Sequence, residues 1–167
     1  MEKEKRLKYA IELDPIFIAQ NVLLILEGFN RISEEKAFKE PLKLASLIYM
    51  VSFDELFLSV SKKLSSSKLN REDHENILNL KLKSKLVAPV LHRTLNLLLN
   101  KNLIGRIDNN GLSSIYLISP DANTFVDERY SEIKTNIKKL RQIYSKIATT
   151  SYNAYSKNVF GEINKYE

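Results

Sequence analysis

The sequence predicts a mainly α-helical fold with one small β-hairpin, and three observations support this prediction. Four glycines and four prolines in 167 residues are few, which favours long helices over sandwiches or barrels. Apolar residues recur at three- and four-residue spacing along most of the chain, as on one face of a helix. Residues 103–118 depart from that spacing, and their Asn110-Gly111 dipeptide is a strong hairpin signal.

The first predicted helix covers residues 15–27. Asp14 is suited to be its N-cap and Pro15 its first residue, and Gly28 is a natural place for it to end. Apolar residues cover most of its circumference. We therefore expect this helix to be buried on several sides, either in the core or at an interface.

Four further helices are predicted before the hairpin. The second covers residues 42–51, and the third runs from Ser52 to about residue 64 with Ser52 and Glu55 at capping-box spacing. The fourth begins at Asn70 and ends in a run of lysines near residue 85. Pro89 lies near the start of the fifth, which covers residues 87–101.

The hairpin and the C-terminal region complete the predicted fold. Its strands cover residues 103–107 and 112–118, and a long helix runs from about residue 122 to about 146 or beyond. Residues 70–118 are predicted to form a helix, a turn, a second helix and a hairpin, which is the order of elements in a winged-helix domain. The sequence thus predicts a charged lead-in (1–13), a helical winged-helix domain (14–120), and a long C-terminal helix with its tail (121–167).

The positive charge is concentrated in one window. The net charge is +6, and residues 76–107 contain six basic residues and no acidic one. Such a window is typical of a surface that contacts nucleic acid or an acidic protein. The candidate contact residues are Lys81, Lys83, Lys85, His92, Arg93, Asn96, Lys101 and Arg106. In a DNA-binding protein the cations would contact phosphates and Asn96 an adenine edge; protein contact or a plain solvated face is the alternative.

The first and last helices carry apolar residues that predict a second surface. Its candidate residues are Phe17, Ile18, Leu24, Tyr130, Ile137 and Tyr144. They would contact a partner subunit or a second copy, unless the two helices simply pack against each other.

Residues for catalysis are scarce. The chain has no cysteine and two histidines, His74 and His92, and it lacks a Gly-rich phosphate loop and a Gly-x-Ser-x-Gly elbow. We therefore expect a protein that is not an enzyme, with no cofactor, metal or small-molecule substrate. The apolar stretch at residues 16–26 is broken by Gln20 and Asn21 and is shorter than the ~20 residues of a membrane span, so a cytoplasmic protein is expected.

Three segments suggest a family. They are PLKLASLIY (41–49), KLVAPVL (85–91) and LLLNKNLI (97–104), after an Asp-Pro-initiated apolar helix and before a short wing. Over residues 14–118 this order resembles the middle component of bacterial three-component ABC-type systems. That group includes the small subunit of Lamassu-type anti-phage and anti-plasmid defence complexes.

The resemblance implies a role that the residues alone do not. Such a subunit would bind an SMC-like or Rad50-like ATPase and help to restrain an effector, often a nuclease, with double-stranded DNA as a further candidate partner. The ATP chemistry would belong to the partner. The alternative hypothesis is a dimeric winged-helix transcription regulator, which also explains the basic helix, the wing and a long terminal helix.

Overall fold

The computed structural model describes residues 13–118 and 129–161. These residues form a mostly helical structure with one small antiparallel sheet, as predicted. The helices are α1 (Pro15–Gly28), α2 (Leu44–Ser52), α3 (Asp54–Leu64), α4 (Arg71–Asn100), α5 (Arg129–Ile143) and α6 (Tyr152–Phe160). The strands are β1 (Phe38–Lys39), β2 (Ile104–Asn109) and β3 (Leu112–Leu117).

Helix α2 lies at the centre of the molecule. Its residues from Leu44 to Val51 are all buried, and it packs against α1, α3, α4 and α5. Helix α1 is buried along most of its length. The side chain of Asn21 in α1 is fully buried, donating to the carbonyl of Phe17 and accepting from the Ser52 hydroxyl at 3.0 Å. The predicted capping box at Ser52 and Glu55 is therefore wrong, because that hydroxyl binds Asn21 and α3 has no side-chain cap.

Helix α1 begins as predicted, with Asp14 Oδ1 accepting from the amide of Ile16 at 2.9 Å. It also ends at Gly28, but for a different reason. The left-handed residue that follows is Asn30 (φ 56°), whereas Gly28 is helical and lies against α5. A Cβ on Gly28 would be 2.4 Å from Cγ2 of Ile137, so the missing side chain permits close helix packing.

The hairpin is confirmed in detail. Asn110 and Gly111 both have positive φ, as the two-residue turn favoured by an Asn-Gly pair requires. Strands β2 and β3 pair antiparallel from Ile104↔Leu117 to Asn109↔Leu112. The two-residue strand β1 adds to the other edge of β3, so the sheet order is β1-β3-β2.

Within residues 129–161, the C-terminal region forms α5 and, in the predicted tail, a second helix, α6. The predicted start near residue 122 lies outside the described residues, and α5 ends at Ile143. Residues 144–151 then lead into α6, whose N-cap is Ser151. Helix α6 packs on the core through Tyr155, which is fully buried and whose hydroxyl oxygen lies 2.6 Å from the Ser46 hydroxyl.

A buried lysine attaches the loop before α6 to the core. Lys43 has no exposed surface, and its Nζ donates to the carbonyls of Ile147, at 2.8 Å, and Thr150. The ammonium also lies 4.8 Å from the centre of the Phe38 ring. Burial lowers the pKa of Lys43 to about 8.

Candidate partner-binding surface of helix α4

Helix α4 is a single helix of 30 residues and forms one side of the molecule. Its N-terminus carries a capping box, in which Asn70 Oδ1 accepts from the Asp73 amide at 2.8 Å and Asp73 Oδ2 accepts from the Asn70 amide at 3.0 Å. Asp73 also accepts from Lys62 and Ser59 of α3. These hydrogen bonds, first the one from the Asn70 backbone, lower the pKa of the Asp73 carboxyl.

The predicted break between a fourth and a fifth helix is wrong. Pro89 lies inside α4, so no turn separates the run of lysines from the residues after it. The reason is that the buried face continues through the proline at alternating four- and three-residue steps. Its members are Asp73, Ile77, Leu80, Ser84, Val87, Leu91, Thr94 and Leu98. Pro89 itself is exposed, which leaves the unpaired carbonyl of Lys85 at the solvent side of the helix.

A groove of about 290 Å³ lies between the C-terminal half of α4, the sheet, and the turn that precedes α2. We call it the α4–sheet groove. It is lined by Pro41, Leu42, Ala88, Leu91, His92, Leu95, Asn96, Leu99, Arg106, Ser113 and Ile115. The lining is therefore mostly apolar, and its four polar or basic side chains are His92, Asn96, Arg106 and Ser113. Leu42 is 48% exposed, although it is a large apolar residue.

The groove brings three of the eight predicted contact residues together. His92 and Asn96 come from exposed positions of α4, and Arg106 comes from β2. Arg106 pairs with Ile115 across the sheet, and its Nε lies 3.0 Å from Oδ1 of Asp108. A cation beside an apolar lining suits a peptide that carries both an aliphatic and an acidic side chain.

The other five predicted contact residues do not form one basic patch. At about 100° per residue, Lys81 and Lys85 lie on the same flank of α4 as His92, whereas Arg93 lies on the opposite flank of the exposed face. Lys83 is directed to α2 and to Phe53, the residue between α2 and α3. Its Nζ lies 5.4 Å from the ring centre of Tyr49 and 5.1 Å from that of Phe53. Lys101 is exposed at the end of the helix.

Sequence reasoning missed a row of exposed leucines on α4. Leu78, Leu82 and Leu86 are 56%, 51% and 57% exposed and follow one another at four-residue spacing. We call these three residues the leucine stripe. Further along the same exposed face are Arg93 and Leu97, the latter 51% exposed. The exposed face of α4 is thus apolar along its middle.

The predicted second surface is largely internal. Ile18, Leu24 and Ile137 are buried, because α1 packs directly against α5. Phe17, Tyr130 and Tyr144 are partly buried: Tyr130 donates a hydrogen bond to Gln20, and the Tyr144 hydroxyl accepts from Asn158 at 2.7 Å. Tyr130 and Ile137 contact α1, Tyr144 is bonded to α6, and α1 itself also packs on α2 and α4, so internal packing accounts for these six side chains.

Comparisons with protein-family models, with curated proteins and with solved structures find no match for this chain.

Groups suited to chemistry are sparse over residues 13–118 and 129–161. No three His, Asp or Glu side chains in this part of the chain come together as metal ligands. One close carboxyl pair occurs beside Asn136, which donates to Asp54 at 3.0 Å and lowers the pKa of that carboxyl. A hydrogen bond to Asp54 raises the pKa of Glu132.

Within the same residues, no single helix has the length and apolar character to cross a membrane. A sufficient length is reached only by joining Pro41–Ser52 to Asp54–Leu64, across a bend of 113°.

Proposed function

We propose that this chain is a non-catalytic winged-helix subunit that binds a partner protein through the α4–sheet groove. The order of its elements supports a winged-helix arrangement. A strand follows the first helix, further helices come next, and a hairpin follows the last of them to give the sheet order β1-β3-β2. Because α4 is continuous, the helix-turn-helix unit of this arrangement consists of α3 and α4, with residues 65–70 as the turn between them.

The α4–sheet groove is the observation that carries the proposal. It is concave and mostly apolar, and it also holds polar groups that can orient a ligand, which is the usual composition of a binding site. Leu42 exposes nearly half of its surface there, and a partner side chain would remove it from water. His92, Asn96 and Arg106 would then select a partner segment with an acidic residue.

The resemblance of residues 14–118 to the middle component of three-component ABC-type systems supports a particular partner. On that basis the partner is an SMC-like or Rad50-like ATPase, in a complex with a nuclease effector that acts against phages or plasmids. The ATPase would supply all the chemistry.

Affinity purification of the tagged chain from its own host tests the proposal. We expect a large coiled-coil ATPase in stoichiometric amount, and we expect the complex to be reconstituted from the purified proteins. Leu42→Asp should weaken that complex roughly tenfold or more, because it places a charge on the apolar lining. The matched control is Leu58→Asp, which changes a leucine of α3 that is 57% exposed and outside the groove.

Both variants should keep the thermal stability of the parent, since the two positions are exposed. If both bound the ATPase like the parent, the groove would not be the binding site. If no ATPase were recovered and the chain alone formed a stable dimer on a defined palindrome, the proposal would be wrong.

A dimeric winged-helix regulator is the second candidate, and one observation favours it. Lys85, His92, Arg93 and Asn96 are all exposed on the helix that precedes the hairpin, where a winged-helix DNA reader carries its contacts. The leucine stripe argues against it, because three exposed leucines on the same helix would face phosphates and water.

A further inference from the structure

We propose that the leucine stripe binds an amphipathic helix of the partner protein whose apolar edge is flanked by acidic residues. This inference rests on the proposed function, in that the chain is a subunit of an assembly. It concerns a second surface, on the N-terminal half of α4 and apart from the α4–sheet groove.

The spacing of the stripe indicates a helical partner. Leu78, Leu82 and Leu86 follow at four-residue steps, so they form a row that is inclined to the helix axis by about 26°. Leu97 extends the apolar row beyond Arg93, to a total of roughly 28 Å at 1.5 Å per residue. A row of this length matches a helix of about 20 residues whose own apolar side chains repeat every three or four positions.

The cations beside the stripe indicate which residues flank the apolar edge of the partner helix. Lys81 and Lys85 lie along one side of the stripe, and Arg93 follows it on the same exposed face. Along α4 the last acidic residue before the stripe is Glu75, three residues before Leu78, and its Oε1 lies 2.9 Å from Nε of Arg71. From residue 76 to 107 no acidic residue balances these cations. Asp or Glu residues on the incoming helix would therefore be attracted along the length of the stripe.

The same lysines disfavour a second copy of this chain. Two copies whose α4 helices pair antiparallel about a two-fold axis at the stripe would place Lys81 and Lys85 of one copy against the same lysines of the other. Like charges in contact would oppose the burial of the leucines. DNA is disfavoured for a different reason, because the middle of the face is apolar and offers no donors to phosphate.

Peptide binding to the full chain tests the inference. The probe is a synthetic helical peptide of about 20 residues with leucines at three- and four-residue spacing and glutamates beside them. Its control has the same leucines with lysines in place of the glutamates. By fluorescence anisotropy we expect the acidic peptide to bind at least about tenfold more tightly than the basic one, with a preference that shrinks at high salt.

Variants of the chain locate the site. Leu82→Glu should weaken binding of the acidic peptide by roughly tenfold or more, because it puts a like charge at the centre of the stripe. Leu112→Glu is the matched control, since Leu112 is 56% exposed on the hairpin, away from the stripe, and should leave binding unchanged. Both variants should unfold at the temperature of the parent.

Three results would overturn the inference: equal affinity for the two peptides, unchanged binding by Leu82→Glu, or a dimer of the chain that Leu82→Glu converts to monomer. Each is distinct from failure of the proposed function. Leu42→Asp tests the α4–sheet groove, whereas Leu82→Glu tests the leucine stripe. If Leu42→Asp lost ATPase binding and Leu82→Glu still bound the peptide normally, only the proposed role of the stripe would be refuted.

Discussion

Gly28 determines how closely α1 approaches α5. A Cβ at this position would be 2.4 Å from Cγ2 of Ile137, so Gly28→Ala must push the two helices apart or strain the isoleucine. We expect a loss of about 1–3 kcal/mol in the free energy of unfolding, measured by urea denaturation. In an Ile137→Ala background the loss should be much smaller, because the clashing methyl group is absent. Equal losses in the two backgrounds would show that the close contact is not the cause.

Lys43 makes the stability depend on pH in a definite direction. Its pKa is lowered to about 8 in the folded protein from 10.5, so between these values the unfolded chain binds more protons. Stability from this group therefore rises as the pH increases from about 8 to about 10. The expected gain is on the order of 1–2 kcal/mol, because the two carbonyls and the Phe38 ring offset part of the cost of burying the charge. A neutral amine still has two N–H groups for the carbonyls of Ile147 and Thr150.

Substitution of Lys43 tests this assignment by urea denaturation at several pH values. Lys43→Met should abolish the rise and lower stability at pH 7, since it leaves two carbonyl groups without their donor. Lys39→Met is the matched control, because Lys39 is exposed on the neighbouring strand. If the parent and Lys43→Met had the same pH profile, the buried ammonium would not be the source.

At the scale of the elements, the continuity of α4 predicts the effect of replacing its proline. Pro89 cannot donate to the carbonyl of Lys85, and a proline inside a helix costs about 3 kcal/mol relative to alanine. Pro89→Ala should therefore raise the free energy of unfolding by about 1–3 kcal/mol. If a turn separated two helices here, the same change would have little effect or would destabilise the protein. Pro41→Ala provides the contrast, because Pro41 begins a short turn where no such donor is needed.

The elements show which parts of this fold the sequence can predict. The hairpin was predictable because its turn depends on two adjacent residues, Asn110 and Gly111, and on nothing distant. The break at Pro89 was wrongly predicted because a buried face on both sides of the proline outweighs its local cost. Strand β1 was missed, since two residues carry no periodicity and Phe38 is the only large apolar residue between Ile32 and Leu42.

The candidate site was predicted in part for related reasons. Charge and side-chain type can be read from a sequence, so His92, Asn96 and Arg106 are predictable as contact residues. Their common position in one groove depends on the fold. The exposure of an apolar side chain cannot be read from the sequence in this way. The exposed Leu78, Leu82 and Leu86 repeat at a helical spacing, and so do the buried Ile77, Leu80 and Leu91. Only the packing of α4 on α1, α2 and α3 separates the two sets.

At the scale of the whole molecule, the positive charge and the apolar surfaces are interleaved. Arg106 of β2 lies at the groove, Lys81 and Lys85 flank the leucine stripe, and Lys83 of α4 lies over two aromatic rings. No continuous cationic face is available along this helix to follow a DNA backbone. An acidic protein surface with apolar centres fits this distribution better than a duplex does.

This distribution predicts weak contact with DNA by the chain alone. The chain should sediment as a monomer and bind duplex DNA without sequence preference, with a Kd on the order of 10⁻⁴–10⁻⁶ M at physiological salt. Lys85 and Arg93 are the exposed cations of α4 best placed for phosphate, so Lys85→Glu with Arg93→Glu should reduce the slope of log K against log salt by about 2. Lys83→Glu should change the slope less, because its ammonium lies over Tyr49 and Phe53. Nanomolar binding of a defined palindrome by a dimer would instead favour the regulator, and an unchanged slope in the double variant would exclude α4 as the DNA contact.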